Sequence, residues 1–141
     1  MIRLRVYLSV PIIANRDLSK AMLAANIIRE LGHMIVSEWV ISPDPGFTLT
    51  PNAVLNRDMR GIEQSDVIVA ETSVPSHGVG MEIMLAHLKG KKIICMFRKG
   101  APISRMIMGI PGVFLVEYTQ DLQFVEKLKE TLERLSNSTD Q

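Results

Sequence analysis

Two carboxylates stand where a helix would normally present apolar side chains. Glu82 falls three residues after Val79 and four before Ala86, along the stripe Val79, Ile83 and Ala86 that a helix would turn toward a core. Asp58 falls three after Leu55 and four before Ile62, beside a stripe of Leu55, Met59 and Ile62. A charge in such a place either lies at the solvated rim of its stripe or points into a polar pocket. Glu82 also lies near the first turn of its helix, where the helix N-terminus favours the ionised form. A glutamate placed there only for helix stability would have the same spacing. Together, two inward-leaning carboxylates match the pair that flanks a scissile glycosidic bond. Tyr7, at the carboxyl end of the first apolar segment, could hydrogen-bond one of them.

The run from Glu71 to Glu82 follows an apolar strand and opens a helix. It contains Ser76, Gly78 and Gly80, and backbone N–H groups at a helix start beside glycines make an anion site. The dinucleotide-binding fingerprint fails here, because its third glycine position holds Ile83 and the run follows the third strand rather than the first. The Gly-Lys-Ser/Thr phosphate loop is absent.

The elements that must position these residues alternate between strand and helix patterns. Strands are predicted over 2–9, Met34–Val40, Asp66–Glu71, Lys92–Phe97 and Val113–Glu117. Helices are predicted over Asp17–Leu31, ended by Gly32, and over Ala53–Gln64, Val79–Lys89 and Thr119–Leu135. Residues 41–52, with three prolines and a glycine, form a loop long enough to act as a lid. Thr72–Gly78 is a second loop, and Arg98–Gly112 is irregular with one helical turn near Ser104. The runs Val67–Ala70 and Ile93–Phe97 are continuously apolar, as strands buried on both faces are. The expected architecture is therefore one α/β domain, residues 1–135, followed by a polar tail at 136–141. It is a doubly wound, Rossmann-like parallel sheet of five strands in order 2-1-3-4-5, with helices on both faces. Ligands of such sheets bind beyond the carboxyl ends of the strands, in the loops after Tyr7, Trp39, Glu71 and Phe97.

Composition narrows the partners. With 141 residues and 47% apolar content, the chain has the material for one core. Sixteen basic against fifteen acidic residues leave a charge of +1, which gives no support for binding a nucleic-acid polymer. A single cysteine, Cys95, rules out an internal disulfide framework and a multi-cysteine zinc site, and no metal is expected. No apolar stretch reaches the roughly 18 residues that span a bilayer. The first residues read as a charged strand rather than a signal peptide, so the expected location is cytoplasmic.

Tyr7, Asp58, the strand Asp66–Glu71, the run Pro75–Glu82, the strand Ile93–Arg98 and the segment Ser104–Gly109 occur in an order that resembles the nucleoside 2-deoxyribosyltransferase superfamily. The resemblance is strongest over residues 56–109 and falls closest to its nucleotide N-hydrolase branch. It implies hydrolysis of the N-glycosidic bond of (deoxy)nucleoside 5'-monophosphates through a covalent sugar ester. Glu82 would be the nucleophile, Asp58 the donor to the leaving base, and Tyr7 the residue that orients Glu82. It also implies that Ser76 and Gly78 hold the 5'-phosphate. Ser9, Ile12, Ile13, Trp39 and Gly80 would complete the substrate shell. Ser104 and Met106 would enter from a neighbouring subunit, making the enzyme at least a homodimer. No cofactor is implied.

Serine at position 76 avoids the repulsion a carboxylate would offer to a phosphate. One departure concerns the loop after the first strand. The family's serine and arginine are replaced there by Pro11-Ile12-Ile13-Ala14, leaving Arg16, Arg98 or Arg105 as other sources of positive charge. Base exchange between nucleosides, and nucleotide sensing without turnover, are the alternative functions.

Overall fold

The computed structural model describes residues 2–138. Five strands form one parallel sheet in the order β2-β1-β3-β4-β5. They are β1 (Arg5–Ser9), β2 (Met34–Ile35), β3 (Val67–Glu71), β4 (Lys92–Arg98) and β5 (Phe114–Tyr118). The helices are α1 (Leu18–Glu30), α2 (Pro51–Gln64), α3 (His77–Leu88), the single turn α4 (Arg105–Met108) and α5 (Asp121–Asn137).

Alternation along the central strands divides the core in two. Val6, Leu8, Val67, Val69, Ile94 and Met96 face α1 and α5, where they pack on residues such as Ala25, Ile28, Phe124 and Leu128. Tyr7, Ile68, Ala70, Ile93 and Cys95 face α2 and α3, against Ile62, Val79, Ile83 and Ala86. The expected topology and two-sided helix cover are both present.

Several boundaries differ from the sequence reading, each for a local reason. The second strand is two residues long instead of seven, and Glu38–Ile41 is a 3-10 turn. Buried Ser37 ends the ladder: its Oγ accepts from the Leu8 N–H at 2.8 Å and donates to the Leu8 carbonyl at 2.9 Å. A side chain thus takes the place of a backbone rung. Helix α2 starts at Pro51, because Thr50 caps it by accepting from the Ala53 N–H at 3.2 Å and Pro51 occupies the first helical position. Helix α3 starts at His77, because Ser76 accepts from the Val79 N–H at 3.3 Å, which draws Gly78 out of the predicted loop and into the first turn. Helix α5 runs on to Asn137, two residues into the predicted tail. Ser136 is buried there, and its carbonyl accepts from the Ile2 N–H at 3.0 Å. Residues 139–141 of the predicted tail lie outside the described residues.

Candidate active site

The carboxyl ends of β1 and β3 and the N-terminus of α3 meet at one cleft. Strand β1 carries Tyr7 toward the α2–α3 layer, and Ser9, two residues on, leans the same way. Helix α3 presents Glu82 from its first two turns, on the face that also holds buried Val79, Ile83 and Ala86. The Tyr7 hydroxyl donates to Glu82 Oε2 at 2.5 Å and the Ser9 hydroxyl donates to Oε1 at 2.6 Å. Both carboxylate oxygens are therefore fixed, while Glu82 keeps part of its surface open to the cleft.

Burial dominates the electrostatics at Glu82. It pushes the carboxyl up to about 7; the Ser9 and Tyr7 hydrogen bonds oppose that rise, and the nearby Asp58 carboxyl adds to it. Tyr7, 1% exposed, is held well above the ordinary phenol range by burial and by the charge of Glu82, so it stays a donor.

Asp58 lies on the inner face of α2, although not on the stripe the sequence suggested. Leu55 and Met59 are 47% and 42% exposed, and the buried surface is formed by Gly61 and Ile62. Asp58 stands one turn before Gly61 and shares the cleft with Glu82. Arg57 Nε donates to Asp58 Oδ1 at 2.9 Å, Arg57 Nη1 donates to the Pro45 carbonyl at 2.6 Å, and the guanidinium lies 4.4 Å from the Trp39 ring centroid. Trp39 meets Tyr7 edge to face at 6.1 Å. Gly61 permits this packing: a Cβ there would stand 2.8 Å from Tyr7 Cε2 and 3.1 Å from Trp39 Cη2.

The cleft has a volume of about 670 Å³. Tyr7 and Ser9 support its floor at Glu82, and Asp58, Ser76, His77 and Gly78 supply polar groups on its lining. Ile12, Ile13 and Ala14 form one wall, and Phe47 and Leu49 belong to the lining from the Pro-rich loop. Trp39 stands behind this surface rather than in it, supporting Tyr7 and Arg57. Gly80, Ser104 and Met106 line a separate cavity of about 700 Å³ between α3 and α4, which Ser76 and His77 also border. Within one chain they do not join Glu82.

The three alternative cations lie elsewhere. Arg16 donates to the carbonyls of Val40, Ser42 and Pro43 at 2.9, 2.5 and 3.2 Å, pinning the loop that follows the 3-10 turn. Arg98 stands 5.9 Å from the Tyr118 ring centroid, and Arg105 is exposed on α4. Sequence reasoning missed Arg57 and Gly61. The only early sign of either was a basic residue beside Asp58 and a glycine three residues beyond it.

No family model matches the chain. The chain is 34% identical over 136 residues to a Thermofilum pendens protein named as a 2'-deoxynucleoside 5'-phosphate N-hydrolase, across 92% of this chain and 95% of that one. Matches to three further relatives of that name, from Syntrophotalea carbinolica, Methanosarcina barkeri and Methanosarcina mazei, are shorter and span 56–58% of their length. Among solved structures, the Clostridium botulinum CMP N-glycosidase BcmB superposes with a TM-score of 0.68, over 90% of this chain and 98% of that one at 24% identity. The 2-deoxyribosyltransferase of Bacillus psychrosaccharolyticus does so with a TM-score of 0.65, over 86% and 90% at 19% identity. At those identities the structural likeness shows the fold, whereas the Thermofilum relative covers nearly all of both chains. The chain belongs to the 2'-deoxynucleoside 5'-phosphate N-hydrolase family.

Proposed function

We propose that this protein hydrolyses the N-glycosidic bond of (deoxy)nucleoside 5'-monophosphates, giving free base and (deoxy)ribose 5-phosphate. The observation that carries this reading is the Glu82 carboxylate, held by Tyr7 and Ser9 in a cleft it shares with Asp58. In the first step a Glu82 oxygen attacks C1' of the sugar and the C1'–N bond breaks toward the base, which takes a proton from Asp58. This leaves a sugar ester on Glu82 and divides one difficult displacement into two. In the second step water attacks C1', Asp58 recovers the proton, and the ester bond breaks to regenerate the Glu82 carboxylate. Tyr7 and Ser9 keep the carboxylate aimed and share its charge when the ester is cleaved.

The 5'-phosphate is assigned to Ser76 and the first turn of α3. Ser76 Oγ accepts from the Val79 N–H, so its own hydroxyl proton is free to donate. The helix start favours an anion, and no carboxylate stands at position 76 to repel one.

The assembly assigned to the protein is a homodimer or larger. Helix α3 carries apolar side chains on both of its faces: Val79, Ile83 and Ala86 face the sheet, while Met81 and Leu88 are 65% and 73% exposed. Exposed Leu55, Met59, Met106 and Met108 extend the apolar surface onto α2 and α4. A second copy covering it would bring Ser104 and Met106 toward the neighbouring Glu82. Among the described residues no helix is long and apolar enough to cross a membrane. The buried free thiol Cys95 fits the reducing cytoplasm assigned to the enzyme.

The test is chromatography of free base after incubation with a panel of nucleosides and their 5'-monophosphates, with and without an added acceptor base. Release from monophosphates without an acceptor is the expected result. Turnover only with an acceptor present identifies base exchange, and binding without turnover identifies a sensing domain.

A further inference from the structure

Arg57 plays no part in the steps above, yet it is built into the site. Neighbouring residues on a helix point in different directions, so a bond between Arg57 and Asp58 requires the guanidinium to fold back across α2. Two contacts hold it there: the face of Trp39 at 4.4 Å and the Pro45 carbonyl at 2.6 Å. Gly46 leaves it room, since a Cβ at that position would stand 2.8 Å from Arg57 Nη1. The Arg57 and Asp58 side chains are each 22% exposed, so their 2.9 Å bond is partly shielded from water.

We infer that Arg57 is a positioning residue for Asp58, an assignment that rests on the reading above. It occupies Oδ1, which leaves Oδ2 as the oxygen that carries the transferable proton. That proton passes from Oδ2 to the base nitrogen as the C1'–N bond breaks, and Oδ2 takes one back from the attacking water. The same guanidinium joins the loop at Pro45 to Asp58, so the loop and the proton donor keep one relative position.

The experiment compares two substrates in the full-length enzyme: a nucleotide with an ordinary base, and an N7-methylated purine nucleotide whose base departs without being protonated. Arg57→Gln should lower the single-turnover rate of base release from the ordinary nucleotide by about 10–100-fold and change it by no more than about threefold for the methylated one. Arg57→Gln combined with Asp58→Asn should be no slower than Asp58→Asn alone. Arg57→Lys, which keeps the charge but lacks the planar fork that spans Asp58 Oδ1 and the Pro45 carbonyl, should show the same substrate-dependent loss at smaller size, and decides the matter if the glutamine variant does not fold. Equal losses on both substrates, no loss on either, or multiplied losses in the double variant would overturn the assignment. Absence of base release by the unsubstituted enzyme would overturn the underlying reading and the assignment with it.

Discussion

Gly61→Ala perturbs the site without replacing any residue proposed to do chemistry. In the middle of an ordinary exposed helix this change would gain about 1 kcal/mol, because alanine is the better helix former. Here the added methyl would meet Tyr7 Cε2 at 2.8 Å and Trp39 Cη2 at 3.1 Å. Tyr7 is 1% exposed and has no space to retreat into. Overpacking of this kind costs about 1–3 kcal/mol, so the net result is a loss on the order of 1 kcal/mol. For a domain of this size that lowers Tm by about 4 °C. Relief requires α2 to move away from β1, and α2 carries Asp58 while β1 carries Tyr7. A displacement approaching 1 Å at reacting groups costs up to about 100-fold in rate. The assays are a thermal melt and base-release kinetics on the same preparation. A variant about 1 kcal/mol more stable than the parent, with full activity, would refute the argued close approach.

In the proposed first step Glu82 must be ionised to attack, and burial pushes its carboxyl up to about 7. The kcat/KM profile should therefore rise with pH through about 7, and Tyr7→Phe, which removes a donor to the carboxylate, should move that limb to higher pH. The same shift has a stability consequence. The folded state holds the Glu82 proton above pH 4.5, where the unfolded chain releases it, so this group's contribution to stability falls as pH rises toward 7. Glu82→Gln should accordingly gain stability relative to the parent above pH 7 and lose that advantage toward pH 4.5. His33 acts in the opposite sense. Its Nδ1 accepts from the Leu4 N–H at 3.0 Å, and burial and the charge of Arg3 hold its pKa below 6.5. Its contribution to stability is complete at high pH and falls as pH drops through about 6.5, where the unfolded chain takes up the proton. Urea midpoints of the parent and of His33→Phe should diverge less at pH 5 than at pH 8; a constant difference would contradict this.

The topology was legible because β3 and β4 are short, continuously apolar and separated by a helical pattern, which leaves few alternatives to a parallel sheet. Glu82 was legible because its neighbours at helical spacing are Val79, Ile83 and Ala86, and the structure buries all three. Asp58 was found for a reason only partly right, since Leu55 and Met59 face outward and Gly61 defines the inner face. A glycine adds nothing to an apolar pattern, so a close helix–strand approach leaves no periodic trace. The short second strand escaped for a related reason. Apolar and β-branched residues surround Ser37, and only the tertiary fold shows that its hydroxyl takes both backbone groups of Leu8. The helix starts at Pro51 and His77 were hidden behind residues usually counted as loop formers. Arg57 left only its place beside Asp58 as a sign, because the two contacts that fold it back, at Trp39 and Pro45, come from separate segments.

The mechanism stands or falls on a bond between Glu82 and C1' of the sugar. A 2'-fluoro nucleoside 5'-monophosphate, which slows breakdown of a sugar ester, provides the direct measurement by mass spectrometry of the intact protein and of its peptides. Release of base is expected together with an added mass equal to the fluorinated sugar phosphate, located on the peptide containing Glu82 and absent from Glu82→Ala. Glu82→Ala should also lose turnover by about a thousandfold or more on ordinary nucleotides, roughly 4 kcal/mol of barrier. Base release with no adduct, together with full activity in Glu82→Ala, would contradict it.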